Sequence, residues 1–138
     1  MIPVMRNLVF AALVAACTPV ATTVATLDST SWKLVDVGGH APVAGPDVTL
    51  SFADGNAEGF ASCNQYRGSY TLSGSSLRFG PTAATKRACA EESRNAQETA
   101  YLGALAKAAS FSISGDRLTL MNDAGAPLAT FVRTQESR

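Results

Sequence analysis

The run Val48-Thr49-Leu50-Ser51-Phe52 passes directly into Ala53-Asp54-Gly55-Asn56. Apolar side chains fall at every second position, so Val48, Leu50 and Phe52 share one face of a strand and Thr49 and Ser51 share the other. Asp54-Gly55 then supplies a tight reversal, because glycine accepts the positive φ that hairpin turns require. Residues 57–61 return as the partner strand. A hairpin with one apolar face specifies an antiparallel sheet with one buried side.

The pattern continues toward the C-terminus. Residues 67–72 and 76–79 form a second hairpin around Ser73-Gly74-Ser75, with Tyr70, Leu72, Leu77 and Phe79 inward, and Pro81 ends it. Residues 91–109 change character: no proline, one glycine, and Tyr101, Leu102, Leu105, Ala108 and Ala109 at helical spacing. Glu91 and Glu92 sit where a helix N-terminus favours negative charge. Phe111 and Ile113 alternate with serines, Leu118 and Leu120 follow a Ser114-Gly115-Asp116 turn, and residues 128–133 close the pattern. Upstream, residues 32–37 alternate Trp/Leu/Asp against Lys/Val/Val, which predicts a strand but leaves its buried face open. Residues 38–46 are a Gly/Pro-rich loop. The expected fold is α+β: an antiparallel β meander of about eight short strands, as a curled sheet or small barrel, with one helix inserted after the fifth strand.

The N-terminus reads differently. Arg6 precedes nine apolar residues, 8–16, and then Cys17. A cationic start, a short apolar stretch and small residues before a cut are the parts of a secretory signal. At about 1.5 Å per residue, nine residues span less than half a bilayer core, which argues against a transmembrane helix. The end of the run, Val14-Ala15-Ala16-Cys17, resembles the lipobox of bacterial lipoproteins, which implies that Cys17 is lipidated and becomes the mature N-terminus. The expected organisation is a signal over 1–16, a tether over 17–26, a folded domain over 27–133 and a tail over 134–138. The mature chain would hold 122 of the 138 residues, enough for one domain. Thr18 follows the cysteine where an aspartate would mark inner-membrane retention, so the outer membrane is the expected location.

The 138-residue chain has 11 basic and 11 acidic side chains, and loss of Arg6 would leave 10 against 11. No concentrated basic footprint points to nucleic acid. Three cysteines are an odd number for a secreted protein. With Cys17 lipidated, Cys63 and Cys89 remain as an even pair in an oxidising compartment, either bridged or as two buried thiols. A bridge would close a loop of about 27 residues and contribute roughly 3–4 kcal/mol. A metal site is not expected: His40 is the single histidine and sits in the 38–46 loop, and no CxxC or HxxxH spacing occurs. No cofactor is expected either. Nucleophilic catalysis finds no G-x-S-x-G elbow, and the lone histidine, His40, lies in a loop and does not by itself make a triad.

The stretch Gly59-Phe60-Ala61-Ser62-Cys63-Asn64-Gln65-Tyr66-Arg67-Gly68-Ser69-Tyr70 resembles the signature of the META domain, also called the HslJ family, whose pattern is a glycine, then Gly-Cys-Asn, then Tyr-x-Gly-x-Tyr. Gly59, Cys63, Asn64, Tyr66, Gly68 and Tyr70 fit it; Ser62 stands where a glycine is common. Trp32, the run Thr85-Lys86-Arg87-Ala88-Cys89, the helix residues Glu98, Tyr101, Leu102 and Leu105, and Leu118, Leu120, Asp123, Gly125 and Phe131 follow in the family's order. The resemblance spans residues 27–133. It implies a small α+β domain in bacterial envelope proteins, often lipoproteins, linked to heat shock, antibiotic tolerance, motility or virulence. It also implies a Cys63–Cys89 disulfide, and it supplies no catalytic residues.

Physically, a buried Asn64 must satisfy two donors and an acceptor, so its expected role is to tie loop backbone together. Tyr66, Gly68 and Tyr70 share one strand face, and Gly68 would admit close packing by the helix or a facing strand. The resulting expectation is a non-enzymatic, monomeric, lipid-anchored protein that interacts with another envelope protein. Two rivals are a carrier of an apolar molecule in a cavity lined by Phe52, Tyr70, Phe79 and Phe111, and an inhibitor that plugs a hydrolase with its 38–46 loop. A thiol enzyme would require Cys89 to be free beside Lys86 and Arg87.

Overall fold

The computed structural model describes residues 27–134. The expected signal, Cys17, the tether and nearly all of the expected tail lie outside the described residues. Nine strands and one helix run in the order β1 (Thr30–Val37), β2 (Thr49–Ala53), β3 (Asn56–Phe60), β4 (Gln65–Ser73), β5 (Ser76–Phe79), β6 (Ala83–Ala84), α1 (Glu92–Lys107), β7 (Ser110–Ser114), β8 (Arg117–Met121) and β9 (Pro127–Arg133). Every strand pair is antiparallel. Along the sheet the order is β3-β2-β1-β9-β8-β7-β5-β4-β6, and β3 also pairs with β4, so the sheet closes into a ring. β6 continues the line of β5 along the same edge of β4, over the length that β5 leaves unpaired. It is a strand the sequence did not announce, and it places the helix after the sixth strand rather than the fifth.

The first hairpin forms as the alternation requires. Phe52 pairs with Ala57 and Ala53 with Asn56, and the turn residues Asp54 and Gly55 both take positive φ. In β1 the buried residues are Trp32, Leu34 and Val37. The pairing with β9 shifts between Leu34 and Asp36. This bulge inserts one residue and flips the phase, so the second half of β1 turns Val37 inward where strict alternation would put Asp36.

A closed ring of eight strands leaves room inside for little more than its own side chains. Trp32, Leu50, Phe52, Leu77, Leu118, Leu120 and Phe131 fill it and are almost wholly removed from solvent. The helix contacts β1, β5 and β9 on different parts of the ring, so it lies across one opening. It buries Gln97, Tyr101, Ala104 and Leu105, a single stripe at spacings of three and four. Leu102 is only partly buried at its margin. Phe52, Tyr70 and Phe79 pack together, with ring centroids 4.9 Å apart for Phe52–Tyr70 and 6.1 Å for Phe52–Phe79. Phe111 is buried in the same core. Of the four aromatics expected to line a ligand cavity, Phe52 and Phe111 are core residues, and Tyr70 and Phe79 are partly buried against that core.

Trp32 is fully buried and donates from Nε1 to Thr30 Oγ1 at 2.8 Å, with the Arg133 guanidinium 4.5 Å from its ring centre. Among the described residues, no helix is long and apolar enough to cross a membrane.

Candidate functional site

The loop between β3 and β4 brings Ser62, Cys63 and Asn64 against the helix and the segment that leads into it. All three are buried. Asn64 uses its full hydrogen-bonding capacity. Its Nδ2 donates to the Arg87 carbonyl at 2.7 Å and to Glu98 Oε2 at 2.7 Å. Its Oδ1 accepts from Thr85 Oγ1 at 2.9 Å and from the Arg87 N–H at 2.6 Å. Glu98 Oε1 in turn accepts the backbone N–H groups of Cys63 and Asn64, at 3.1 and 2.8 Å.

Asn95 repeats the device one turn earlier on the helix. Its Oδ1 accepts the Cys89 N–H and its Nδ2 donates to the Cys89 carbonyl, both at 2.9 Å. Cys89 is disulfide-bonded to Cys63. Asn64 and the disulfide therefore fasten residues 85–89 to the motif loop, Asn95 fastens them to the helix, and together the three form a clasp. Asn95 was not singled out in the sequence. An asparagine six residues after a cysteine, near a helix start, was the available signal.

Ser62 sits at φ 114°, a backbone region that glycine enters freely and serine does not. This is the position where the motif ordinarily has glycine. The side chain has its own partners: Gln97 Nε2 donates to Ser62 Oγ at 3.0 Å, while Gln97 Oε1 accepts the Val43 N–H at 2.8 Å. Arg94 donates to the Ser62 carbonyl at 2.6 Å. The 38–46 loop is thus tied through Gln97 to the motif loop. His40 is exposed and exchanges backbone hydrogen bonds with Val37.

The glycines and tyrosines of the motif serve packing. A Cβ on Gly59 would lie 2.2 Å from the Thr49 carbonyl oxygen. A Cβ on Gly68 would lie 3.1 Å from the Pro81 carbonyl oxygen and 3.2 Å from the Thr82 methyl. The segment that Gly68 admits is therefore the 81–82 connection, neither the helix nor a facing strand. Tyr66 and Tyr101 meet hydroxyl to hydroxyl at 2.5 Å, and Tyr66 also donates to the Thr49 carbonyl at 2.7 Å. Burial pushes both phenols well above their ordinary pKa, Tyr101 more completely enclosed than Tyr66. Tyr70 is half-exposed; partial burial and then Asp28, 3.4 Å from its hydroxyl, raise its pKa.

Outside the clasp an open groove of about 680 Å³ crosses β2, β3, β4 and β6, with Phe60, Gln65, Arg67 and Thr85 among its walls. Arg67 and Glu58 face each other there at 3.9 Å, both largely exposed, so the pair contributes little. Among the described residues there is no group of three or more His, Cys, Asp or Glu side chains placed to hold a metal ion.

The chain matches the family model of the META domain over residues 25–135. No curated protein matches it. Among solved structures it is similar to a protein from Burkholderia xenovorans determined by NMR, at 30% identity and TM-score 0.65, over 80% of this chain and 85% of that one. A second NMR structure is 25% identical with TM-score 0.64, over 80% and 93% of the two chains. A DUF4847 family protein from Bacteroides vulgatus shares the fold at 16% identity and TM-score 0.56, over 81% and 97%.

Proposed function

Since the chain belongs to the META domain family, we propose that it is a lipid-anchored protein of the bacterial envelope whose domain works by binding another envelope protein, without catalysing a reaction, in tolerance of envelope stress. The observation that carries this reading is the run of residues 8–16 ending in Val14-Ala15-Ala16-Cys17. An acyl anchor on Cys17 fixes the compartment, and several chains there would hold the domain stably where one would bind reversibly. The tether, up to about 30 Å when extended, sets how far the domain stands from the bilayer. Thr18 favours the outer membrane.

The state of the motif supports a binding role over a chemical one. Asn95 is occupied by backbone groups and Asn64 by backbone groups together with Glu98 and Thr85, Cys63 and Cys89 are bonded to each other, and the Tyr66–Tyr101 pair is enclosed. A group that already has all its partners has none to offer a substrate.

The test is cross-linking of intact cells followed by capture of the chain, in parallel with a Cys17→Ala form. Loss of the captured proteins on untethering supports location-dependent interaction. An unchanged set shows the anchor to be incidental.

A further inference from the structure

Residues 82–88 continue the line of β6 toward the helix, and their backbone groups alternate in what they meet. In an antiparallel ladder only every second residue of a strand bonds to a given neighbour. Thr85 N–H donates to the Gln65 carbonyl at 3.1 Å and Gly80 N–H to the Ser69 carbonyl at 2.8 Å. Gln65 and Ser69 therefore face this side of β4, and so does Arg67 between them, the register partner of Ala83. Beyond the end of β4 the two amide side chains take over the ladder. Asn64 holds both the N–H and the C=O of Arg87, and Asn95 holds both those of Cys89. Residues 83, 85, 87 and 89 thus bond inward, partly to real strand and partly to side chains that imitate one.

Of the intervening residues, Thr82, Lys86 and Ala88 make no backbone hydrogen bond among the described residues, and the same alternation turns the backbone groups of Ala84, the register partner of Tyr66, outward. All of residues 81–88 are exposed. The segment is therefore an edge with a row of unused donors and acceptors, held from behind by the clasp. Such an edge is a template for another strand. Its charge narrows the occupant: residues 81–90 contain Lys86 and Arg87 and no acidic side chain, while Arg67 on the adjoining strand already faces Glu58. Like charges facing each other across a new ladder disfavour a second copy of the same edge, whereas a carboxylate opposite Lys86 or Arg87 favours pairing.

We propose that the outward edge of residues 82–88 is a docking strand, which takes an extended acidic peptide segment of another protein by backbone addition to the sheet. This deepens the interaction reading and does not require the lipid anchor.

The experiment is amide hydrogen exchange and NMR titration of the labelled full chain in detergent micelles, using a synthetic heptapeptide of alternating valine with aspartate or glutamate, and its lysine counterpart. In the free chain, Ala84, Lys86 and Ala88 amides exchange fast and Ala83, Thr85, Arg87 and Cys89 slowly. The acidic peptide slows Ala84 and Lys86 by about tenfold or more, and the lysine peptide does not. Ala84→Pro removes an outward N–H and no inward bond, so it keeps the fold and abolishes the slowing. Lys86→Glu with Arg87→Glu reverses the peptide preference.

The proposal is overturned if the alternating amides are already slow without peptide, if the acidic peptide leaves Ala84 and Lys86 unchanged, or if Ala84→Pro binds as the parent does. It is also overturned if protection appears with rising protein concentration alone, which would make the occupant a second copy. Captured partners that survive Ala84→Pro would discard this surface and leave the interaction reading standing.

Discussion

The interior of the ring and the clasp at the helix entry hold the chain together by different means. The interior is apolar and collective: Trp32, Phe52, Leu118, Leu120 and Phe131 come from distant strands and exclude water together. The clasp is polar and specific, with two asparagines each binding one residue's N–H and C=O and a disulfide alongside. The interior stabilises the fold as a whole. The clasp positions one short segment that has almost no buried apolar surface of its own. Substitutions in the two regions should therefore read out differently, the first in global unfolding and the second in local exchange.

The largest effect belongs to the interior. Phe131→Ala should lower the unfolding free energy in denaturant titration by about 4 kcal/mol, because it empties a fully enclosed site. Replacing Cys63 and Cys89 together by alanine should cost about 3 kcal/mol by the loop-closure argument. If that double variant loses as much as Phe131→Ala, the two regions are not separate in the way described. Asn64→Ala should cost about 2 kcal/mol, and it should accelerate exchange at Arg87 more than at core amides such as Leu118.

The buried tyrosines give the comparison a pH axis. Their folded pKa values lie above the ordinary phenol value of 10.0, chiefly from burial. The unfolded chain therefore releases these protons first. Stability is fully present below about pH 10 and falls as pH rises beyond it. Tyr101→Phe should cost about 1 kcal/mol at neutral pH and flatten part of the alkaline loss, as followed by denaturant midpoints from about pH 8 to about pH 11. The smallest effect is expected at Ser62→Gly. Relief of the positive φ offsets the lost Gln97 hydrogen bond, so stability should change by less than about 1 kcal/mol.

The two regions also differ in how far the sequence announced them. The interior was legible because a strand with one buried face writes its apolar residues at period two, as in residues 48–52 and 117–121. It failed where one inserted residue flips the phase: no pattern in residues 32–37 distinguishes Val37 from Asp36 until the bulge is seen. The short strand Ala83–Ala84 was invisible because exposed alanines carry no period. Asn64 was legible as a group needing partners. Its partners were not, since the Arg87 backbone offers the same N–H and C=O as any other residue. Gly68 was legible as a close approach, but the approaching 81–82 segment arrives through tertiary packing that leaves no local mark. Ser62 could be noted as a departure from the motif; the strain it accepts and the Gln97 bond that accompanies it needed the structure.

The central claim is that the motif asparagine, not the sulfur bridge alone, holds the segment before the helix. Amide exchange at Arg87 in the full chain, compared between the Cys63→Ala, Cys89→Ala double variant and Asn64→Ala, tests it most directly. The account predicts that the Arg87 amide stays slow without the disulfide and becomes fast without Asn64. Fast exchange in the cysteine variant, with none in Asn64→Ala, would contradict it.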